Sequence, residues 1–202
     1  MEQYINKIIN GDCLEVLKTL PDESIDCAIT SPPYWALRDY GVDGQLGLEP
    51  TFQEYINKLC DIFDEVKRVL KKEGTCWVNL GDTYSGNKEG KTDNKVSEYL
   101  KGTSNGIHKK ATITEKCLCQ IPSRFAIEMT NRGWILRNEI IWHKPNCMPS
   151  SVKDRFTVDF EKIFFFVKSK KYYFETQYEP NKTESNAERP RMGQGNQTQY
   201  NQ

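Results

Sequence analysis

Apolar positions along the chain follow two spacings, which together predict an α/β fold. Between Phe52 and Leu70 they recur every third or fourth residue, the spacing of an amphipathic helix. Residues 25–30 form a nearly continuous apolar run, which is typical of a buried parallel strand. The full pattern predicts strands over 7–12, 25–30, 75–80, 134–142 and 162–168, a helix from Cys13, a helix over 52–70 closed by Gly74, and a helix from Ile121 to Gly133. We expect a partial Rossmann-like sheet, mainly parallel.

The polar stretches set the predicted limits of the domain. A turn over 168–171 leads into residues 172–174, which predicts an antiparallel hairpin at the C-terminal end of the sheet. Residues 81–116 are rich in Gly, Lys, Asn, Thr and Ser, and predict a polar loop insertion. Residues 181–202 hold too few apolar side chains to fold alone, so they predict a polar tail, either disordered or the start of a recognition region. We therefore expect one domain over residues 1–180.

Charge and cysteine content narrow the class of protein. Lys plus Arg equals Asp plus Glu at 28 each, so a nucleic-acid partner would have to meet a local basic patch. The 7 cysteines are scattered without a Cys-x-x-Cys pair, and the N-terminus lacks the apolar core of a secretory signal. These features indicate a reduced, cytoplasmic protein without a metal site. No apolar stretch has the length of a transmembrane helix, so we expect no membrane partner.

The hexapeptide Thr30-Ser31-Pro32-Pro33-Tyr34-Trp35 follows the predicted strand over 25–30. Neither proline has an N–H group, so the strand cannot continue its ladder through them. The carbonyl groups of Ser31 and Pro32 are therefore predicted to be free acceptors. At the carboxyl end of a parallel strand, the usual place for ligands in α/β sheets, the turn would present acceptors and the Tyr34 ring to one space. A planar ring that bears an exocyclic amine fits such a space.

Each of these features also has an ordinary structural explanation. A Pro-Pro-Tyr sequence is often a simple turn or a polyproline ligand. Asp12 and Glu15 have the offset of a capping box, so Asp12 is expected to cap the first helix whether or not it binds a ligand. The segment Trp142-His143-Lys144 fits either packing at a solvated edge or part of a DNA-facing cleft.

The hexapeptide resembles the catalytic motif of the amino-group DNA methyltransferases. Further blocks resemble that family in matching order: Asn10-Gly11-Asp12, Arg38-Asp39-Tyr40-Gly41, Gly44-Gln45-Leu46-Gly47-Leu48-Glu49, Arg68-Val69-Leu70, Asn79-Leu80-Gly81-Asp82 and Ile141-Trp142-His143-Lys144-Pro145-Asn146. The likeness covers about the first 175 residues and fits the permuted class in which the catalytic half comes first.

The resemblance implies methyl transfer from S-adenosylmethionine to the exocyclic amine of a base flipped out of double-stranded DNA, as in restriction-modification systems. It assigns the catalytic role to Ser31, Pro32, Pro33 and Tyr34, and the cofactor role to Asp12, Thr30 and Ser31. It places Trp35, Arg38, Trp142, His143 and Lys144 at the substrate. The serine-led motif resembles the cytosine-N4 branch, with adenine-N6 methylation as the alternative.

The sequence lacks one segment that this family carries, a glycine-rich cofactor loop of the form Asp-Pro-Phe-x-Gly-Ser-Gly-Thr. In the permuted class the loop follows the recognition region, together with the remaining parallel strands of the sheet. The sequence therefore predicts a truncated enzyme, one half of a split enzyme completed by a second polypeptide, or a fragment, with an unpaired strand edge. A non-catalytic DNA-binding or interaction remnant is the alternative from another class.

Overall fold

A computed structural model describes residues 2–86, 113–147 and 149–179. A short 3-10 helix at Glu2–Tyr4 precedes three helices and four strands. In chain order these are α1 (Cys13–Thr19), β1 (Ile25–Thr30), α2 (Phe52–Val69), β2 (Leu70–Leu80), α3 (Ile121–Asn131), β3 (Ile135–His143) and β4 (Phe160–Val167). The three predicted helices and the strands at 25–30, 75–80, 134–142 and 162–168 are confirmed within a few residues.

The four strands form one mixed sheet in the order β1-β2-β4-β3. β1 and β2 are parallel, whereas β4 is antiparallel to both of its neighbours. The α/β class and the partial Rossmann-like sheet are confirmed, and the antiparallel part is larger than expected. The arrangement brings the start of β4 to the end of β2, because Leu80 lies opposite Lys162.

The core lies between one face of the sheet and the helices α2 and α3. Thr51 caps α2 by accepting the N–H of Glu54, and the apolar stripe of the helix is buried. Phe63 packs edge-on against Phe125 of α3 at a centroid distance of 5.3 Å, and Phe125 contacts the β4 rings of Phe164 and Phe166. These aromatic contacts run without a break from α2 through α3 to β4. They hold the helices against the sheet that carries the candidate site.

Two predicted boundaries are wrong. Residues 7–12 form no strand, since no strand among the described residues pairs with them, and Ile8 is fully exposed. Gly74 does not close α2: the helix ends at Val69, and Gly74 lies inside β2. A Cβ at Gly74 would lie 2.9 Å from the carbonyl oxygen of Asp26, so this glycine serves the close approach of β1 and β2.

The predicted hairpin has a different partner. The antiparallel partner of β4 at this end of the sheet is β3, and residues 172–174 form no strand. Instead, the chain after β4 folds across the sheet, where Tyr172 and Phe174 pack against Phe165. These two rings contact the sheet face through Phe165 while Phe174 stays 59% exposed, so the apolar run marks a surface contact that the sequence could not distinguish from a strand.

β1 is parallel to β2 as predicted but is not buried. Among the described residues it pairs only with β2, and Ile29 on the face away from the helices is 79% exposed. The apolar run therefore predicted covering layers that this part of the chain does not supply.

The ends of the predicted polar loop lie together. Ser85 exchanges two backbone hydrogen bonds with Lys116 and Cys117, and Tyr84 bridges to Leu118. Residues 87–112 of the predicted insertion and residues 180–202, which include the predicted tail, lie outside the described residues. None of the helices in the described ranges combines the length and apolar character that a membrane span requires.

Candidate active site

The motif turn leaves β1 at its carboxyl end, beside the end of β2 and the start of β4. A cavity of about 330 Å³ opens there, within the size range of small-molecule sites. Its lining residues are Ser31, Pro32, Pro33, Tyr34, Leu37, Arg38, Tyr40 and Glu161. The four predicted catalytic residues thus share one cavity, which Arg38 also lines.

A hydrogen-bond network joins the two hydroxyl groups of the motif. The Tyr34 hydroxyl lies 2.8 Å from Asn79 Oδ1 and 3.1 Å from Glu161 Oε2. Ser31 Oγ lies 3.3 Å from the same Asn79 oxygen. Asn79 Nδ2 donates to the carbonyl of Lys162, which directs its Oδ1 towards the hydroxyl groups. Both hydroxyl groups therefore have interior acceptors for their single hydrogens.

The titration of Tyr34 and Glu161 follows from this environment. Burial raises the pKa of Tyr34 above its ordinary value, and the negative charge of Glu161 adds to the rise. Burial alone would raise the pKa of Glu161, but hydrogen bonds from Lys144 and Tyr34 outweigh it and hold that pKa below its ordinary value. At neutral pH the cavity thus contains a neutral phenol beside a carboxylate.

The backbone of the turn is fixed by residues distant in sequence. The hydroxyl of Tyr55, fully buried on α2, donates to the carbonyl of Pro33 at 2.9 Å. Ala36 donates its N–H to the carbonyl of Gly47, and a Cβ at Gly47 would lie 2.9 Å from the Tyr34 carbonyl oxygen. A Cβ at Gly81 would lie 2.5 Å from the Tyr34 ring. Only glycine allows both approaches.

The carbonyl of Pro32 is placed as an available acceptor. The hydrogen bonds found among the described residues include none to this oxygen, whereas the Pro33 carbonyl is taken by Tyr55. The rigid dipeptide thus presents one backbone acceptor beside Ser31 Oγ.

Trp35 was predicted at the substrate, and the structure contradicts this. Its side chain is only 3% exposed, packs edge-on against Phe52 and donates its indole N–H to the carbonyl of Glu49. A large aromatic ring is more stable in the core than at the rim of the cavity. Trp35 anchors the turn to the core, and its side chain has no free surface for a base.

The three predicted residues at the end of β3 divide into separate roles. Trp142 is about half exposed, and His143 pairs with Asp159 at 3.5 Å on the surface; neither lines the cavity. The amine of Lys144 pairs with Glu161 and lies 5.7 Å from the centroid of the Trp142 ring. Lys144 does not line the cavity itself, but it pairs with Glu161, which does.

Two of the predicted cofactor residues, Thr30 and Ser31, lie at the carboxyl end of β1, whereas Asp12 precedes α1. Asp12 caps α1, where its Oδ1 accepts the N–H groups of Leu14 and Glu15. The predicted capping role is therefore confirmed. Thr30 ends β1, and both it and Ser31 are exposed.

Two residues of the site escaped prediction from sequence, Glu161 entirely and Asn79 in part. Glu161 is a single acidic residue at the start of an apolar strand, a pattern that also suits a solvated strand end. Only the antiparallel pairing of β4 with β2 shows that it reaches Tyr34.

Comparison with known proteins places the chain in a family. The family model described as DNA methylase matches residues 25–202. This chain belongs to the DNA methylase family. The match includes the motif turn and Glu161 of β4, which line the cavity, and Asn79 of β2, which contacts the motif.

Curated relatives include Type II methyltransferases from two bacteria. The chain is 44% identical over 175 residues to M.SmaI of Serratia marcescens, an alignment that covers 84% of this chain and 58% of that protein. It is 44% identical over 174 residues to M.Cfr9I of Citrobacter freundii, covering 83% of this chain and 56% of that protein. The chain thus spans just over half the length of these relatives.

Solved structures share the fold. PvuII DNA methyltransferase, described as cytosine-N4-specific, matches with a TM-score of 0.55 at 24% identity, over 80% of this chain and 49% of that one. A putative DNA modification methylase from Thermus thermophilus, complexed with S-adenosyl-L-methionine, matches with a TM-score of 0.54 at 22% identity, over 83% and 55%. At these identities the likeness is one of fold.

Proposed function

We propose that this chain is the amine-binding part of a site-specific DNA (cytosine-N4) methyltransferase that uses S-adenosylmethionine. The observation that carries the proposal is the acceptor-lined cavity at the end of β1. Ser31, Pro32 and Tyr34, which carry a hydroxyl group, an available carbonyl and an aromatic ring, all line it. Membership of the DNA methylase family supports the same function.

The cavity suits the chemistry of an exocyclic amine. The lone pair of such an amine is delocalised into the ring, so the nitrogen is a weak nucleophile. Acceptors that hold its hydrogens out of the ring plane localise that pair, and positioned groups of this kind supply most of the acceleration. With S-adenosylmethionine bound, the methyl group would pass from its sulfur to this nitrogen, the positive charge would move from sulfur to nitrogen, and one amine hydrogen would be released to solvent as a proton.

Asp12, Thr30 and Ser31 are proposed to hold S-adenosylmethionine. Asp12 uses only Oδ1 for its capping bonds, and the hydrogen bonds among the described residues include none to Oδ2. This exposed oxygen fits an amino or hydroxyl group of the cofactor. When bound, S-adenosylmethionine supplies an electrophilic methyl group.

The proposed partners are double-stranded DNA and the sequence that completes the sheet. DNA must present its base flipped out of the stack, because the amine is otherwise engaged in pairing. We propose that a second polypeptide, or a C-terminal half like that of the longer relatives, provides the glycine-rich cofactor loop. A cytoplasmic location is part of the same proposal.

The test is methyl transfer from labelled S-adenosylmethionine to DNA. We would assay the chain alone and as a chimera, in which this chain is fused to the portion of M.SmaI that the alignment does not cover. We expect the chimera to methylate DNA and the isolated chain to be weak or inactive. Digestion of the product to nucleosides should yield N4-methylcytosine; N6-methyladenine would assign the alternative branch.

Two variants assign the residues. Ser31→Ala and Tyr34→Phe should each lower the kcat of the chimera by roughly 100-fold or more, because each removes a group positioned at the amine. Ser24→Ala and Tyr173→Phe, which lie outside the cavity, serve as matched controls. Equal activity of all four variants would refute the assignment. A chimera that binds DNA but neither binds nor uses S-adenosylmethionine would favour the non-catalytic remnant.

A further inference from the structure

We propose that Glu161 is a positioning residue that fixes Tyr34 in the amine-binding cavity and that Lys144 holds Glu161 in place. The inference rests on the proposed function, since it assigns a task within the same site. Neither the motif nor the blocks that resemble the family contain Glu161.

Glu161 reaches the Tyr34 hydroxyl from β4, whereas Tyr34 lies on the turn that follows β1. It is the second residue of β4, and its Oε2 lies 3.1 Å from the Tyr34 hydroxyl. Its side chain is 19% exposed, so water competes little for the carboxylate. The two residues are 127 positions apart in sequence, so only the folded chain brings them into contact.

The hydrogen count around Tyr34 gives Glu161 a specific task. The phenol has one hydrogen, and three oxygens surround it, those of Ser31, Asn79 and Glu161. Asn79 Oδ1 also accepts from Ser31. The Tyr34 hydroxyl is nearer to Asn79 Oδ1, at 2.8 Å, than to Glu161, at 3.1 Å. A carboxylate is nevertheless the stronger acceptor, so with Ser31 bonded to Asn79 we assign the phenol hydrogen to Glu161. Lone pairs of Ser31 and Tyr34 then remain for the amine hydrogens.

Lys144 makes this arrangement rigid. Its amine pairs with Oε1 of Glu161, the oxygen that Tyr34 does not use. The pair keeps Glu161 ionised, and it restricts rotation of the carboxylate. Gly81 contacts the Tyr34 ring closely, so the ring is confined at both its edge and its hydroxyl. A base that stacks on Tyr34 would meet a ring already held in one orientation.

Titration of Tyr34 in this chain tests the link without any assay of methyl transfer. With 13C at the tyrosine Cζ positions, NMR follows the ionisation of each ring, and Tyr34→Phe identifies the Tyr34 signal among the 10 tyrosines. Because the negative charge of Glu161 disfavours the phenolate, Glu161→Gln should shift the Tyr34 midpoint to lower pH. Circular dichroism would confirm folding at each pH.

The matched control is Glu139→Gln. Glu139 on β3 also pairs with a lysine, Lys162, at 2.6 Å, but it is not among the hydrogen-bond partners found for the Tyr34 hydroxyl in the described residues. Its removal should leave the Tyr34 midpoint unchanged. An unchanged midpoint in Glu161→Gln, or an equal shift in both variants, would overturn the proposed link.

Kinetics of the chimera test whether the link serves the reaction. Glu161→Gln should lower kcat by roughly 10- to 100-fold, the loss typical when a residue that orients a metal ligand is removed, with little change in the KM for DNA. In a Tyr34→Phe background the same change should cost less than about threefold, because the hydroxyl through which Glu161 acts is absent. Equal losses in both backgrounds would refute the positioning role.

The titration and the kinetics separate the two proposals. If the wild-type chimera transfers no methyl group, the proposed function fails its test, while the NMR titration still decides whether Glu161 controls Tyr34. If the chimera is active and Glu161→Gln is as active as Glu139→Gln, the function stands and the role of Glu161 is wrong.

Discussion

Tyr34 is held by groups from distant parts of the sequence. Asn79 and Glu161 contact its hydroxyl, Gly81 contacts its ring, and Gly47 lies against its backbone. Each contact limits a different motion of the residue. A side chain confined in this way is preorganised, which is how a site built from ordinary residues gains catalytic power.

At the scale of single residues, Gly81→Ala tests this confinement. The added Cβ would lie 2.5 Å from the Tyr34 ring, so the ring or the backbone must move. We expect the free energy of unfolding to fall by about 1–3 kcal/mol, the usual cost of overpacking. Urea denaturation of this chain measures it.

The control for that prediction is Gly81→Ala in a Tyr34→Ala background. With the ring removed, the new methyl group has space, and most of the loss caused by Gly81→Ala should vanish. A loss of the same size in both backgrounds would show that backbone conformation, and not the ring, requires this glycine.

At the scale of elements, α3 depends on a cap from outside the helix. Its N-cap residue Gln120 has left-handed backbone angles and makes no side-chain cap bond. Asp82 in the connection after β2 accepts the N–H of Ile121 instead, at 3.1 Å. Partial burial raises the pKa of Asp82 above its ordinary 3.8, with bonds from the Ile121 and Thr83 N–H groups opposing the rise.

This cap predicts the effects of two substitutions on stability and on its pH dependence. Asp82→Ala should destabilise the chain by about 1 kcal/mol, the usual effect of losing a cap. Because folding raises the pKa of Asp82, its protonated form stabilises the folded state: that contribution is complete below the ordinary pKa and is lost as the pH rises through the raised value. Asp82→Asn keeps an acceptor without a charge and should remove this pH dependence.

Urea denaturation between about pH 4 and about pH 7 compares wild type with Asp82→Asn. Wild type should gain stability relative to Asp82→Asn as the pH falls. The reverse trend would mean that the ionised carboxylate is the preferred cap, as expected where the charge–dipole interaction exceeds the cost of burial.

The elements that could be predicted from sequence are those with strong local signals. The periodicity of α2 and the apolar run of β4 needed no tertiary information. The strand at 7–12 and the hairpin at 172–174 failed because pairing depends on a neighbouring strand, which apolar content does not reveal. The motif turn was predictable from its prolines. Glu161 was not, since its value to the site arises only from the pairing of β4 with β2.

At the scale of the whole molecule, the sheet is covered unequally. Helices α2 and α3 pack on one face, whereas a groove of about 1150 Å³ opens on the other, lined among others by Cys27, Trp77 and Phe174. The same face carries Ile29 at the edge of the sheet. An exposed apolar edge of this kind is unfavourable for a chain in isolation.

Because β1 lies at an exposed edge of the sheet, we predict that a cysteine on β1 becomes less accessible when further strands are added beside it. Cys27 is exposed on β1, and Cys117 is exposed near the loop after β2. If the remaining portion of M.SmaI in the chimera adds strands beside β1, alkylation of Cys27 should be slower in the chimera than in this chain, because its edge becomes covered. Alkylation of Cys117 should keep its rate. Peptide mass spectrometry reads both sites in one sample, and equal rates for Cys27 in the two proteins would show that the chimera leaves the β1 edge open.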